Sequence, residues 1–380
     1  MHIKMGRTAK RTAVIGAVAA LGCAVAPPAL AQSVVYVPCS TTALAADISA
    51  ASSGDTLFLK AGCTYRLTAP LPHITTNLSI VGGNGATLDG GSLGFSILTV
   101  DSGARLTITN VNFSNGGGIG GGGIIGAPSS VEAGKGGQDY GGAIYNDGIV
   151  AVHGGTFTDN TAVDEGGAIY NDNVMTVTGA RFVGNSTTAS SEYGGAIYNN
   201  DILKVTDSTF LRNSSYYGGA IYNDDTSFVL TGSTFTRNNA EYGGGLYLNY
   251  TGQVTGDVFS GNNAQSDGGA IYINDPVTLQ SLTLHGNSAQ YGGGLYNDDY
   301  TVGVVQSNII SNDATAQGGG IYNYEGALTL TNTTVARNHA TTGGGGIYND
   351  TGTVTLNHSW VTFNTPDNCE PTATIATCSG

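Results

Sequence analysis

The sequence predicts an all-β fold: a right-handed parallel β-helix (β-solenoid) with a short N-terminal helical cap. Three observations carry that expectation. One phrase recurs: Gly141-Gly142-Ala143-Ile144-Tyr145-Asn146-Asp147, the same from Gly166 to Asp172, and variants around Tyr198, Tyr222, Tyr247, Tyr272, Tyr296, Tyr322 and Tyr348. The steps between those tyrosines are 25, 28, 24, 25, 25, 24, 26 and 26. A second phrase, an apolar residue followed three places later by Asn, keeps the same beat, from Phe157/Asn160 through Phe235/Asn238 to Val361/Asn364. Each unit also contains short alternating runs such as Met175-Thr176-Val177-Thr178, the periodicity of strands, punctuated by Gly, Asn and Asp. A unit of about 25 residues makes one coil, whose strands pair in parallel with those of the next coil about 4.8 Å away. Parallel crossovers are right-handed, and the chain has room for about eleven or twelve coils.

The elements follow in order. Lys4, Arg7, Lys10 and Arg11, an apolar run from Ala13 to Ala26 and Ala29-Leu30-Ala31 read as a bacterial-type signal peptide over 1–31, cleaved after Ala31, which predicts a secreted protein. Residues 32–113 are expected to form an N-terminal cap and the first coils. There Leu44, Ile48 and Ala51 stand at helical spacing, predicting a lid helix over 41–51. Residues 114–140 read as a Gly-rich insertion, 141–364 as the repeat β-helix, and 365–380 as a C-terminal cap in which Pro366 stops the last strand. Cys23 leaves with the leader, so Cys39, Cys63, Cys369 and Cys378 remain, an even number suited to disulfides in an exported chain. Their clustering favours Cys39 with Cys63 and Cys369 with Cys378 among three possible pairings. A zinc site is the alternative, with no CxxC spacing or nearby His pair behind it.

Composition narrows the function. The 380 residues carry 13 Lys+Arg against 27 Asp+Glu, a net charge of −14; without the leader the count is 9 against 27, or −18. Such a surface repels phosphate backbones, so nucleic acid is not expected as a partner. The 60 glycines show no period of three and 40% of residues are hydrophobic, which argues against collagen and against disorder. After the leader no run reaches the roughly 20 apolar residues a membrane helix needs. The expected mature chain therefore has no membrane span and is a monomer.

Strand alternation sorts the repeat into faces. If Ile144 points inward, so does Asn146, while Ala143 and Tyr145 point outward. Asn146, Asn171, Asn199, Asn223, Asn297, Asn323 and Asn349 would then stack as an amide ladder. In two copies Leu248 and Ile273 precede Asn249 and Asn274, a one-residue delay that suggests a local bulge. The tyrosines Tyr145, Tyr170, Tyr198, Tyr222, Tyr247, Tyr272, Tyr296, Tyr322 and Tyr348 would form an outer aromatic stripe able to stack on an extended sugar polymer. An acidic row runs beside it, with Asp147, Asp172 and Asp224 two places after the tyrosine. Calcium is the natural ion to relieve repulsion among those three; otherwise no cofactor or metal is expected.

The GGAIY and FxxN phrases resemble the repeats of the polymorphic outer-membrane protein family, known from chlamydial surface adhesins and from secreted actinobacterial proteins. The resemblance covers roughly residues 110–365. It implies a right-handed parallel β-helix of the pectin-lyase-like type and a cell-surface or extracellular interaction role. The stretch with Cys39-Ser40, Gly54-Asp55-Thr56-Leu57 and Gly83-Asn84-Gly85-Ala86-Thr87-Leu88-Asp89-Gly90 resembles the entry cap of such helices. The family's adhesins continue into a membrane-embedded barrel for which this sequence has no room, implying a secreted form without it. The leading expectation is a non-catalytic, adhesin-like binding or scaffold protein. Its partners would be polysaccharide or cell-surface glycans, or surface proteins. The runner-up is a polysaccharide lyase or glycoside hydrolase, with Asp139 in the insertion and the consecutive Arg212 and Arg237 as its candidate residues. A purely structural envelope protein stands third.

Overall fold

The computed structural model describes residues 32–117, 140–371, 375 and 378; the leader 1–31 and most of the insertion lie outside the described residues. From residue 32 onward the chain is a parallel β-solenoid. The coil around Tyr222 shows the pattern: strands Ile221–Asn223, Phe228–Thr231 and Thr234–Thr236, then a short fourth strand, Asn239–Tyr242. Stacked on their neighbours, these make parallel sheets of eleven, thirteen and twelve strands, with a discontinuous fourth sheet whose longest part has five. The shaft thus has about thirteen turns rather than eleven or twelve. The additional turns come from the N-terminal stretch, where strands such as Val34–Val37 and Asp55–Leu59 pair in register without any GGAIY phrase.

Apolar residues of one type stack down the core. Phe113, Phe157, Phe182, Phe210, Phe235 and Phe259 lie ring on ring with centroids 4.5 to 4.9 Å apart, and Leu284, Ile309 and Val335 continue the column. Burying each such side chain contributes about 1.5–3 kcal/mol, and parallel stacking repeats the same fit in every coil.

Two amide columns run through the same interior. At the end of each FxxN phrase Asn160, Asn185, Asn213, Asn238, Asn262, Asn287, Asn312, Asn338 and Asn364 form an unbroken ladder. Each Nδ2 donates to the next Oδ1 at 2.9 to 3.0 Å. The second column follows the tyrosines: Asn146 bonds to Asn171, Asn171 to Asn199 and Asn199 to Asn223, at 2.7 to 2.8 Å, and Asn297 to Asn323 and Asn323 to Asn349 at 2.7 Å. Between Asn223 and Asn297 the register continues without a bulge, Asn223 opposite Leu248, Leu248 opposite Ile273, Ile273 opposite Asn297. The one-residue delay in the sequence is therefore a plain replacement of Asn by an apolar residue in two coils. Its physical trace is Asn297 Oδ1, which is buried and unpaired because Ile273 offers it no donor. Leu248→Asn with Ile273→Asn is expected to complete the ladder from Asn223 to Asn297 and raise the urea midpoint by an amount equivalent to about 1 kcal/mol, whereas Ile273→Asn alone only moves the unpaired oxygen to residue 273, facing Leu248; a lowered midpoint in the double variant would show that the apolar pair Leu248/Ile273 contributes more by packing.

Both ends are closed. Ser40 Oγ accepts the Ala43 N–H at 3.3 Å and caps a helix over Thr41–Ala50 whose Leu44 and Ile48 are buried over the first turn. The Cys39–Cys63 disulfide ties this cap to the first turn. At the far end Cys369–Glu370 adds a last strand beside Ile347 and Tyr348, and Cys369 is bonded to Cys378. Among the described residues no helix is long and apolar enough to cross a membrane.

Candidate functional site

The most distinctive surface lies outside the eleven-stranded sheet. The nine tyrosines project there, opposite to the buried Ile and Asn of the same strands, and all eight successive pairs of rings are stacked at 4.6 to 5.6 Å. The stripe is not open to a polymer, however: Tyr222 keeps only 7% of its surface and Tyr272 9%. A second tyrosine layer covers it. Tyr193, Tyr217, Tyr242 and Tyr291 each stand directly before a glycine pair and pack against the first layer. The first of these glycines makes the cover possible. Gly194 has φ +67°, and a Cβ there would run into the Ile197 carbonyl, so the chain folds Tyr193 back over its own strand only without a side chain. Tyr193 then lies 4.6 Å from Tyr222 of the next coil, and Tyr217 5.5 Å from Tyr247.

Read down the shaft, this covering column runs Tyr140, Glu165, Tyr193, Tyr217, Tyr242, Asp267, Tyr291, Gln317. Two carboxylic acids therefore take the place of a phenol. Burial among the rings pushes the Glu165 carboxyl up to about 7, reinforced by Glu192 and Asp164. Burial likewise pushes Asp267 up to about 7, against a lowering bond from Ser266 and with help from Asp298 and Glu241. Glu165 and Asp267 stand four coils apart, about 19 Å, too far to act as a pair. Glu192, in the coil after Glu165, is itself raised by burial and then by Asp164. The sequence did carry a signal for this layer: Tyr193-Gly194-Gly195-Ala196-Ile197-Tyr198 repeats a tyrosine at both ends of the GGAI core, and Glu165 and Asp267 fill the first of those places in their coils.

The acidic row on the other side of the tyrosines is interleaved with amides. Asp172 Oδ1 accepts from Asn200 Nδ2 at 2.6 Å, and Asp224 accepts from Asn249 Nδ2 at 2.6 Å and from the Tyr198 hydroxyl at 3.2 Å. Asn274 in turn donates to Asn249 at 2.8 Å. Asp147 and Asp172 occupy adjacent coils and Asp224 is separated from them by Asn200. Among the described residues no three His, Cys, Asp or Glu side chains converge as a metal site. Asp139 lies outside the described residues. Arg212 and Arg237 stack in consecutive coils at left-handed corners (φ +54° each), where Gly261, Ser311 and Arg337 stand in other coils, and neither ion-pairs with a described residue. These arginines shape the turn and face solvent.

The fold and the repeated face define a right-handed parallel β-helix repeat protein. Residues 196–365 match the family model of the right handed beta helix region, and residues 154–172 match the Chlamydia polymorphic membrane protein repeat. No curated protein matches the chain. Among solved structures it is similar to tailspike protein 3 of bacteriophage CBA120, at 12% identity and a TM-score of 0.39 over 87% of this chain. It spans 59% of that tailspike's length.

Proposed function

We propose that this is a secreted, non-catalytic binding or scaffold protein of the cell exterior, which presents the double tyrosine layer and its carboxylate margins to a glycan or a surface partner. Secretion rests on the leader sequence and is supported by two disulfides, which persist outside the reducing cytosol. The observation that carries the binding role is the covering column. Tyr193, Tyr217 and Tyr242 are half-buried rings held at fixed spacing on a rigid sheet, flanked by Glu165, Glu192 and Glu241. Rigid aromatic anchors lose little entropy on binding, and carboxylates beside them accept hydrogen bonds from sugar hydroxyls. The contact face is thus the outer tyrosine column rather than the stripe beneath it.

A hydrolytic reading has one specific observation in its favour: Glu165, a carboxyl raised to about 7 in aromatic surroundings with Glu192 in the next coil, has the character of a general acid. One assay separates the two. The mature protein is incubated with neutral and acidic polysaccharides, and polymer size and protein elution are followed together by size-exclusion chromatography. Binding without shortening is expected, weakened about thirtyfold by Tyr217→Ala with Tyr242→Ala, each ring being worth about 1 kcal/mol. Binding unchanged in that folded variant removes the tyrosine face as the contact surface. Shortened polymer, abolished by Glu165→Gln, establishes hydrolysis instead.

A further inference from the structure

We propose a second site, on a different face and independent of the tyrosine layer: a trough that binds an acidic saccharide of low charge density, with Arg181 taking its carboxylate. The trough holds about 590 Å³ at the corner between the thirteen- and twelve-stranded sheets in the N-terminal half of the shaft. Asn84, Asn110, Asn112, Thr156 and Arg181 line it, and no Asp or Glu does, on a chain with 27 acids against 13 cations.

Its floor is bare backbone at Gly179, while over Gly154 in the preceding coil the Asn110 amide oxygen lies where a Cβ would stand. Both sit at the left-handed corner (φ +69° and +65°) that each coil turns between these two sheets. That conformation does not by itself demand glycine here, because Asp207, Ser281, Gln306 and Asn332 turn the same corner in other coils at φ +49° to +56°. A Cβ at Gly179 would meet nothing within 4 Å. Glycine at 179 therefore leaves a recess which the corner geometry does not require, walled on the side of the preceding coil by Asn110, and the flat face of a sugar ring can lie against it.

The walls supply the polar chemistry. Asn112 Oδ1 accepts the Thr156 N–H at 3.1 Å, which fixes the amide orientation, while its NH2 makes no bond to a described residue. Neither the Asn84 nor the Asn110 side chain donates to one. Amides and a hydroxyl both donate and accept, which suits a ring of hydroxyl groups better than a bare anion. Arg181 forms no ion pair with any described residue, and its planar fork matches a carboxylate in two parallel bonds. The surrounding negative field repels a dense polyanion, so the fitting ligand carries isolated carboxylates among neutral sugars.

The test is calorimetric titration of the mature chain with 3′-sialyllactose, lactose and inorganic phosphate. Saturable binding of sialyllactose is expected, tighter than lactose and weakened about tenfold or more by Arg181→Gln, the loss of a charge-assisted bond. Gly179→Gln places in the recess the residue that Gln306 carries at the equivalent corner, so the variant should fold with a slightly lowered melting midpoint, the cost of a side chain at positive φ, and lose binding altogether. Tyr217→Ala should leave this affinity untouched, which keeps the test separate from that of the tyrosine face. Equal affinity in the folded Gly179→Gln or Arg181→Gln proteins, no saturable binding, or phosphate binding as tightly as the saccharide would each overturn the proposal.

Discussion

Asn238→Leu is expected to cost the shaft about 3–5 kcal/mol, while the similar change Asn223→Leu should cost only about 1 kcal/mol. Both asparagines are fully buried members of amide columns, so burial alone predicts no difference. The partners do. Asn238 Oδ1 accepts both the backbone N–H of Asn213 at 2.9 Å and its Nδ2 at 3.0 Å, and Asn238 Nδ2 donates to Asn262 Oδ1 and to the Phe210 carbonyl. Leucine leaves the Asn213 backbone N–H and the Phe210 carbonyl short of partners in a dry interior, at about 1–3 kcal/mol each, while Asn213 Nδ2 keeps the Phe182 carbonyl at 3.2 Å. At Asn223 the loss is milder. Its donor in the preceding coil, Asn199 Nδ2, also bonds to the Asp201 carbonyl at 2.7 Å and keeps that partner. The protein already carries two such replacements, Leu248 and Ile273, at the cost of the single unpaired oxygen on Asn297. Urea unfolding of the two variants beside the parent provides the comparison; equal losses would mean that apolar packing, not hydrogen-bond satisfaction, sets the stability of these columns.

The same pair of columns shows how far the sequence can be read. Alternation along a three-residue strand places Asn146 on the side of Ile144, and both are buried. Asn160 is marked just as clearly by its period, but it stands beyond the strand Thr156–Thr158, at a corner where the backbone turns and a two-residue alternation has no meaning. Its ladder follows from the corner geometry, which composition does not encode. The delayed Asn249 and Asn274 looked like a shifted register because the sequence shows order along one chain, whereas the register is set by the neighbouring coils. The same alternation places the tyrosine stripe on the outer face, and its rings lie outside the main core. What covers them is invisible to alternation, since Tyr193 comes back over the strand through a glycine with positive φ. Glu165 and Asp267 stand apart only once the coils are stacked, when each is seen to interrupt a column of phenols.

Stacking also sets how stability depends on pH. Asp257 is buried at the corner where Ser208, Ser233, Ser307 and Thr333 stand in other coils. There each hydroxyl accepts the backbone N–H of the coil before it, and Asp257 Oδ1 does the same for Ser233 at 2.7 Å. Its Oδ2 is buried without a partner. Burial pushes its carboxyl up to about 7, opposed by the bonds from Ser233 and Thr255. With Glu165 and Asp267 also at about 7, three acids hold protons in the folded chain that the unfolded chain releases near pH 4. For a raised carboxyl the contribution is full below the unfolded value and is lost as pH rises through the folded one. Asp55 works in the other direction. Backbone N–H bonds from Ser52 and Ser33 lower it, so what it contributes is lost as pH falls below about 4. The melting midpoint should therefore peak near pH 4, fall between about pH 4 and 7, and level off above that. Asp257→Ser keeps the acceptor for Ser233 and removes the buried acid, so it should stabilise the protein by about 3 kcal/mol at pH 8 and by much less at pH 5. A midpoint that rises from pH 5 to 8, or a gain from Asp257→Ser that is the same at both, would mean that the carboxyl reaches solvent or a counterion and is not held neutral in the corner.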